Sequence, residues 1–211
     1  AVVGGLPQDL SFHPSIASGV RLGEGVVLRE GVTVNRATRE GSFTEIGSGS
    51  LLMAYAHVGH DCQVGEHVIL ANNVLVAGKV TIGDHVFVGG GTGFHQYVRV
   101  GESAMVSGLS RCSIDLPPFC IMAERNELIG LNLVGLKRRG IERESLHELK
   151  KLYRLVFASE GRPSVLARGI AADKVAKTAE GGRFLSFLSA ESQRGVMRPR
   201  KKQEENGGND Q

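Results

Sequence analysis

Apolar residues recur at every sixth position over a long stretch of the chain. The series runs from Ile16 to Val106, and only Glu40 breaks it. Its members are Ile16, Leu22, Leu28, Val34, Glu40, Ile46, Leu52, Val58, Val64, Leu70, Val76, Ile82, Val88, Phe94, Val100 and Val106. An α-helix, with about 3.6 residues per turn, cannot keep a six-residue period in register, and a flat strand repeats every two residues. The pattern therefore predicts short strands joined by corners, with three units in each coil of about 18 residues.

The architecture that this pattern predicts is a parallel β-helix over residues 1–135. The repeating apolar side chain points into a triangular prism and stacks on its equivalents in neighbouring coils, while backbone hydrogen bonds join each coil to the next. The corners need residues that accept a positive φ, and Asn72 and Asn73 are placed to supply one. The period does not set the handedness of the coil, and parallel crossovers are usually right-handed.

The repeat is interrupted once and then ends. Residues 35–42, around Glu40, are polar and predict an external loop. The repeat fades after Cys112, because the prolines of residues 115–118 cannot continue a hydrogen-bonded ladder.

The remaining chain is predicted to form a helical domain over residues 136–197. Apolar residues at a spacing of three to four predict its first helix: Leu146, Leu149, Leu152 and Val156. Gly161 and Pro163 supply the stop, and a second helical stretch is expected over residues 165–188. Residues 198–211 are charged and rich in Gly and Asn, so we expect a disordered tail.

Composition narrows the class of protein. The net charge of +3 is too small to indicate nucleic-acid binding, and no apolar run is long enough for a transmembrane helix. Three cysteines do not form an even disulfide framework, and the first residues lack the charged flank of a signal peptide. We therefore expect a cytoplasmic protein with no stable membrane insertion. Because the chain begins with Ala rather than Met, we also expect it to start part-way into a longer protein.

The densest group of chemically active residues is the segment 56–62. Adding 18 residues to His60 gives Gly78, and adding 18 more gives Gln96, so these three residues should form a row on the coil surface. A histidine base beside a glycine N–H combines a proton acceptor with an oxyanion donor, which acyl transfer requires. Asp61 is placed to fix the tautomer of a neighbouring imidazole. The alternatives are solvated surface histidines, the favoured interpretation for His67, His85 and His147, and a zinc site built from His57, His60, Asp61 and Cys62.

Five segments together resemble one enzyme family in order and interval. They are residues 57–62 (HVGHDC), 70–73 (LANN), 95–96 (HQ), 115–118 (DLPP) and 135–140 (GLKRRG). This combination resembles the UDP-N-acetylglucosamine O-acyltransferases of lipid A synthesis, which are hexapeptide-repeat acyltransferases. The resemblance implies a left-handed coil, a homotrimer, an acyl carrier protein as acyl donor and UDP-N-acetylglucosamine as acceptor. It implies neither a metal nor a cofactor.

The resemblance also implies roles for individual residues. The catalytic group comprises His60 as general base, Asp61 as its support and Gly78 as oxyanion donor. The substrate-binding residues that it implies are Asp9, His57, His95, Gln96, Asn132 and Arg138. Gly108 matches a position that limits acyl-chain length, where glycine leaves room for a longer chain. The basic residues Lys137, Arg138, Arg139, Lys150 and Lys151 are candidates for docking the acidic carrier protein, with a solvated helix face as the alternative for the last two.

Three departures from the family pattern affect acceptor contacts. Ser11 stands where the family often has Lys, Lys79 where it usually has His, and Val134 where an acidic residue is expected. A 3-amino UDP-sugar that receives an amide-linked chain is therefore a second candidate acceptor. The chain could also be the later N-acyltransferase of the same pathway or, in a different functional class, a non-catalytic trimeric β-helix scaffold.

Overall fold

The computed structural model describes residues 1–199, which form eighteen strands and four helices. The strands are β1 (Val2–Gly5), β2 (Gly19–Leu22), β3 (Val27–Leu28), β4 (Thr33–Asn35), β5 (Phe43–Ile46), β6 (Leu51–Leu52), β7 (His57–Val58), β8 (Gln63–Val64), β9 (Ile69–Leu70), β10 (Leu75–Val76), β11 (Thr81–Ile82), β12 (Phe87–Val88), β13 (Gly93–Phe94), β14 (Arg99–Val100), β15 (Met105–Val106), β16 (Arg111–Cys112), β17 (Cys120–Ala123) and β18 (Glu127–Leu131). The helices are α1 (Leu133–Arg138), α2 (Arg143–Phe157), α3 (Pro163–Ala172) and α4 (Ala179–Ser189).

Strands up to β17 form three parallel sheets. Every third strand joins the same sheet up to β16, and β17 then pairs with β15. The first sheet runs β1-β4-β7-β10-β13-β16, the second β2-β5-β8-β11-β14, and the third β3-β6-β9-β12-β15-β17 with β18 at its edge. These sheets are the three faces of a left-handed parallel β-helix, as the resemblance implied. The predicted coil length is confirmed, because Val58 pairs with Val76 and Val76 with Phe94, each 18 positions further along.

From Val34 onward the six-residue series forms the interior of the prism, with Glu40 in the external loop, whereas the expected inward position of its first members is wrong: Leu22 is 42% exposed, and Ile16 and Leu28 are only partly buried. Val64, Leu70 and Val76, whose exposure would have contradicted the prediction, are 4%, 0% and 0% exposed. Each buried aliphatic side chain of this size contributes roughly 1.5–3 kcal/mol relative to an exposed one. Because each coil contacts only its neighbours, this stacked column of apolar side chains supplies the core of the prism from Val34 to Val106.

The corners of the prism hold residues in the left-handed region at six-residue intervals. With Gly91, the series comprises Tyr55, Asp61, His67, Asn73, Lys79, His85, Tyr97, Ser103 and Leu109, whose φ angles lie between 53° and 69°. The left-handed conformation costs a non-glycine residue roughly 1–2 kcal/mol. Backbone bonds between coils offset this cost, as where the N–H of Lys79 donates to the carbonyl of His60 at 2.9 Å. Asn73 occupies such a corner as predicted, whereas Asn72 does not have a positive φ.

The predicted interruption around Glu40 is an insertion of one repeat unit. Leu22 pairs with Ile46, 24 positions further along, whereas Ile46 pairs with Val64 after the usual 18. The additional six residues form a turn outside the prism and return the chain to the same phase, so the later members of the six-residue series, from Ile46 to Val106, still point inward.

The C-terminal region closes the last coil and then becomes helical. β17 continues the third sheet in parallel, and β18 pairs with it antiparallel. The helix predicted around Leu146 is α2, whose apolar stripe faces α3 and α4. The single helical stretch predicted over residues 165–188 is wrong: it contains two helices. The chain turns at Lys174, with φ 51°, and restarts at Thr178, whose hydroxyl accepts a hydrogen bond from the N–H of Gly181.

Most of the tail predicted to be disordered, from residue 200 onward, lies outside the described residues, while Pro199 forms an isolated backbone β-bridge with Leu128.

All three cysteines are free and buried, and burial raises the pKa of the Cys62 thiol to about 12. No helix within residues 1–199 has both the length and the apolar character that a membrane span requires.

Candidate active site

A cleft of about 750 Å³ lies along the first sheet and the corner that follows it. The sequence-predicted residues His57, His60, Gly78, His95 and Gln96 all line it. The other lining residues are Gln8, Asn35, Gly59, Leu75, Val76, Ala77, Gly93, Phe94, Arg111, Cys112, Ser113 and Arg125. The strands bring these residues together because the same face of the prism recurs every 18 residues.

His60 and Asp61 form a hydrogen-bonded pair at the wall of the cleft. Nδ1 of His60 lies 2.7 Å from Oδ2 of Asp61, which leaves Nε2 as the ring nitrogen available to a ligand. His60, expected on the coil surface, is only 4% exposed because the corner of the next coil covers its ring. Burial alone would raise the pKa of Asp61, but hydrogen bonds from His60 and Thr38 outweigh it and hold the pKa below its usual range.

Gly78 packs directly against His60, as the spacing of 18 predicted. A Cβ built on Gly78 would lie 2.4 Å from Nε2 of His60, so the histidine ring occupies the space of a side chain at this position. Among residues 1–199, the Gly78 N–H has no hydrogen-bond acceptor, although it lies in a coil whose neighbouring amides are paired. The cleft therefore holds a buried imidazole and an uncommitted backbone donor side by side.

His57 is positioned by the coil that precedes it. The hydroxyl of Thr33 lies 2.7 Å from Nδ1 of His57, because Thr33 and His57 are paired residues of β4 and β7. Burial lowers the pKa of His57, which favours a neutral ring at physiological pH. The arrangement leaves its second ring nitrogen free to bind a ligand in the cleft.

His95 and Gln96 are held by an arginine that is distant in sequence. Nε of Arg194 donates to the carbonyl oxygen of Gln96 at 2.8 Å, and its Nη2 contacts Nδ1 of His95. The segment that carries Arg194 is fixed by two backbone bonds of 2.9 Å, from the Asp115 N–H to Gly195 and from the Met197 N–H to Asp115.

Charge changes along the length of the cleft. Thr33, His57, Leu75, Gly93 and Arg111 occupy equivalent outward positions in successive strands. Leu75 is 55% exposed. The outward side chains along this wall of the cleft therefore change from polar at Thr33 and His57, through an exposed apolar section at Leu75, to a guanidinium group at Arg111. Arg125 pairs with Arg111 through an isolated backbone β-bridge and extends this positive end.

The remaining sequence-predicted residues lie outside the cleft of a single chain. Asp9 follows Gln8 at its edge, and its carboxylate accepts hydrogen bonds from the hydroxyl and N–H of Ser11, which hold its pKa below the usual range. Asn132 caps α1 and donates to the carbonyl of Ser103 at 3.0 Å. Arg138 and Gly108 are exposed.

Gly78 in the cleft, Ser103 beside Asn132, and Gly108 lie at three different corners of the prism. Gly78 follows a strand of the first sheet, Ser103 a strand of the second, and Gly108 a strand of the third. One chain therefore cannot gather all the predicted residues into one site.

The positions that depart from the family pattern have local partners or are exposed. Lys79 lies next to the cleft residue Gly78, and its Nζ donates to the hydroxyl of Tyr97 at 3.3 Å. Val134, in α1, is 63% exposed.

Residues that orient the side chains of the site were missed from the sequence, among them Thr33 beside His57, Thr38 beside Asp61 and Arg194 beside His95. Thr33 could have been found, because it precedes His57 by the 24 positions of the enlarged coil. Thr38 lies in the external loop and Arg194 follows the last helix, so no period connects them to the histidines. No group of three or more His, Cys, Asp and Glu side chains within residues 1–199 is arranged to hold a metal ion.

Comparison with known proteins gives consistent matches over both parts of the chain. Residues 43–78 match the bacterial transferase hexapeptide family, and residues 115–197 match domain 2 of the UDP-N-acetylglucosamine O-acyltransferase family. The chain is similar to the acyl-(acyl-carrier-protein)–UDP-N-acetylglucosamine O-acyltransferase of an Anaeromyxobacter species, with 42% identity over 201 residues, 94% of this chain and 77% of that protein.

Another relative and a solved structure agree with this match. The protein of the same name from Gloeothece citriformis is 44% identical over 160 residues, and the chain spans 58% of its length. The UDP-N-acetylglucosamine acyltransferase from Campylobacter jejuni superposes with a TM-score of 0.85 at 35% identity, covering 95% of this chain and 77% of that one.

Proposed function

The chain belongs to the family of UDP-N-acetylglucosamine O-acyltransferases, and on that premise we propose that it transfers a 3-hydroxyacyl chain from acyl carrier protein to the 3-hydroxyl of UDP-N-acetylglucosamine. This reaction is the first step of lipid A synthesis. The observation that carries the proposal is the contact between His60 and Gly78, because it places a base next to a free N–H donor at one wall of a cleft.

The chemistry is a direct acyl transfer without metal or cofactor. Nε2 of His60 takes the proton from the sugar 3-hydroxyl as the oxygen attacks the thioester carbonyl carbon. The Gly78 N–H donates a hydrogen bond to the oxyanion that forms. Collapse of this intermediate breaks the carbon–sulfur bond, and the departing pantetheine sulfur takes the proton from His60. Asp61 stabilises the imidazolium in between and keeps Nε2 directed at the substrate.

The other residues of the cleft bind rather than react. His57 and His95 present ring nitrogens to the acceptor, and Gln96 adds an amide in the row above Gly78. Asp9, at the edge of the cleft, contributes to sugar binding. The exposed apolar section at Leu75 suits an acyl chain, which gains affinity by burying apolar surface there.

The active unit that we propose is a homotrimer with its sites between subunits. The distribution of predicted residues over three corners supports it, because a neighbouring subunit would bring its own Asn132, Arg138 and Gly108 to the cleft. The mass expected from light scattering is three times the 22.5 kDa of one chain. A monomer with full activity would exclude this assembly.

The carrier protein is proposed to dock on the basic face of α2, in the cytoplasm. Lys150, Lys151 and Arg154 line one exposed depression together with His147. Acyl carrier proteins are acidic, so complementary charge would steer their approach and weaken with salt. Lys137, Arg138 and Arg139, in the last turn of α1 and at its C-cap, are further basic candidates for docking the carrier protein.

A turnover assay tests the proposed function. The protein is incubated with 3-hydroxyacyl carrier proteins of several chain lengths and with either UDP-N-acetylglucosamine or its 3-amino analogue, and the products are identified by mass spectrometry. We expect an O-acylated nucleotide sugar. Exclusive use of the amino analogue would replace the proposed acceptor, and an inactive protein that is folded and trimeric would favour a non-catalytic scaffold.

A further inference from the structure

We infer that Thr38, in the loop outside the prism, is a positioning residue for the His60–Asp61 pair. The inference rests on the proposed function, because it assigns Thr38 a role through the proposed base. Thr38 makes two hydrogen bonds to Asp61: its N–H donates to Oδ1 at 2.9 Å, and its hydroxyl donates to Oδ2 at 2.7 Å.

The oxygen that accepts the Thr38 hydroxyl is the same one that contacts His60. Oδ2 of Asp61 lies 2.7 Å from Nδ1 of His60. With Oδ1 bound to the Thr38 N–H, both carboxylate oxygens are engaged and the plane of the carboxylate is set. Thr38 thereby determines where Oδ2 lies, and Oδ2 in turn orients the imidazole.

Asp61 needs this support because it occupies a corner of the prism. Its φ is 57°, in the left-handed region. At most other corners the N–H bonds to a carbonyl of the preceding coil, but the Asp61 N–H donates to the hydroxyl of the fully buried Thr44 at 2.8 Å. The enlarged coil thus replaces the regular ladder at Asp61 with side-chain contacts.

The loop holds Thr38 in place independently of Asp61. The Arg36 N–H donates to the carbonyl of Gly5 at 2.9 Å, and the Arg36 guanidinium donates to the carbonyl of Pro14 at 2.8 Å. Ala37, the residue before Thr38, is fully buried and donates its N–H to Gly19 at 3.3 Å. Because these contacts involve other residues, they remain when the Thr38 hydroxyl is removed.

The test compares Thr38→Val, which keeps the shape and removes the hydroxyl donor, with Thr38→Ser, which keeps the donor and removes the methyl group. For Thr38→Val we expect kcat to fall about 10-fold or more, because a small misplacement of the base lowers the rate steeply. We expect KM to stay within about 2-fold, and Thr38→Ser to retain most of the wild-type kcat.

Thr33→Val is the matched contrast, because Thr33 contacts the other histidine of the motif. Its loss should raise KM while kcat changes less. A Thr38→Val enzyme with kcat within about 2-fold of wild type would overturn the inference, and so would a Thr38→Ser enzyme as slow as Thr38→Val, which would assign the effect to packing.

A readout that does not need turnover separates this inference from the proposed function. In ¹⁵N-histidine NMR of the whole protein, wild-type His60 should show the Nδ1–H tautomer, and Thr38→Val a mixture with the Nε2–H form. Should the wild type fail to transfer acyl chains, the proposed function falls while the tautomer comparison still decides the role of Thr38. An unchanged tautomer in Thr38→Val would reject that role.

Discussion

The ring of His60 fills the space that a side chain at Gly78 would need, with Nε2 only 2.4 Å from the position of a Cβ. Gly78→Ala should therefore displace the imidazole and lower kcat by about 100-fold, since small displacements of a reacting group are costly. Steady-state kinetics on the folded variant measure this loss.

Gly90→Ala is the matched control for this substitution. Gly90 occupies the same corner position two repeat units later and lies outside the cleft, where a Cβ meets only the Asn72 carbonyl at 3.0 Å. Corner positions of this type accept side chains, as His60, Glu66 and Asn72 show. Equal losses of kcat in the two variants would indicate damage to the coil instead of displacement of the base.

His60→Ala and His57→Ala should differ in which kinetic constant changes. Removal of a general base typically lowers kcat about 10²–10⁴-fold, so with His60 in the proposed role His60→Ala should lose activity on that scale while the chain stays folded. His57 is proposed to bind the acceptor, so His57→Ala should mainly raise KM. The measurement is kcat and KM for both variants, and the opposite pattern would exchange the two roles.

The sequence predicted the prism and one row of the site because both depend on a regular step. Val64, Leu70 and Val76 point inward as the period requires, and adding 18 to His60 correctly located Gly78. Long-range side-chain contacts follow no such rule. Nothing in the order of residues indicates that Arg194 reaches His95 across the molecule, since folding of the helical region creates this contact.

Arg194→Ala should weaken acceptor binding, because the guanidinium group holds both His95 and the backbone of Gln96. We expect KM for the nucleotide sugar to rise about 10-fold with a smaller change in kcat. Arg194→Lys should recover only part of the loss, since an ammonium group cannot reproduce the planar two-point contact. Arg198→Ala is the control, because Arg198 lies in the same segment and contacts the carbonyl of Gly161 outside the cleft. Equal effects at both positions would argue against a specific role for Arg194.

Glu148 should make the stability of the helical region depend on pH. Burial would raise its pKa, but hydrogen bonds from Thr178 and Lys177 outweigh burial and lower it. Because the pKa is lower in the folded than in the unfolded chain, the stabilisation is complete above the ordinary value near 4.5 and is lost as pH falls through the folded value.

Urea unfolding of Glu148→Gln tests this pH dependence. The variant should be about 1–2 kcal/mol less stable than wild type at pH 7 and approach it in acid. Glu144→Gln, at an exposed position of α2, should leave the profile unchanged. A constant difference between Glu148→Gln and wild type at all pH values would contradict the assignment.

The three buried cysteines make the opening of the fold measurable one segment at a time. Cys62 lies in the coil of His60, Cys112 in the last strand of the first sheet, and Cys120 at the start of β17. Burial raises the pKa of each thiol, and thiol reagents react with the exposed thiolate, so labelling of the native protein must wait for local unfolding. The relative labelling rates of the three sites therefore report whether the stack of coils frays progressively from one end or opens as a single cooperative unit.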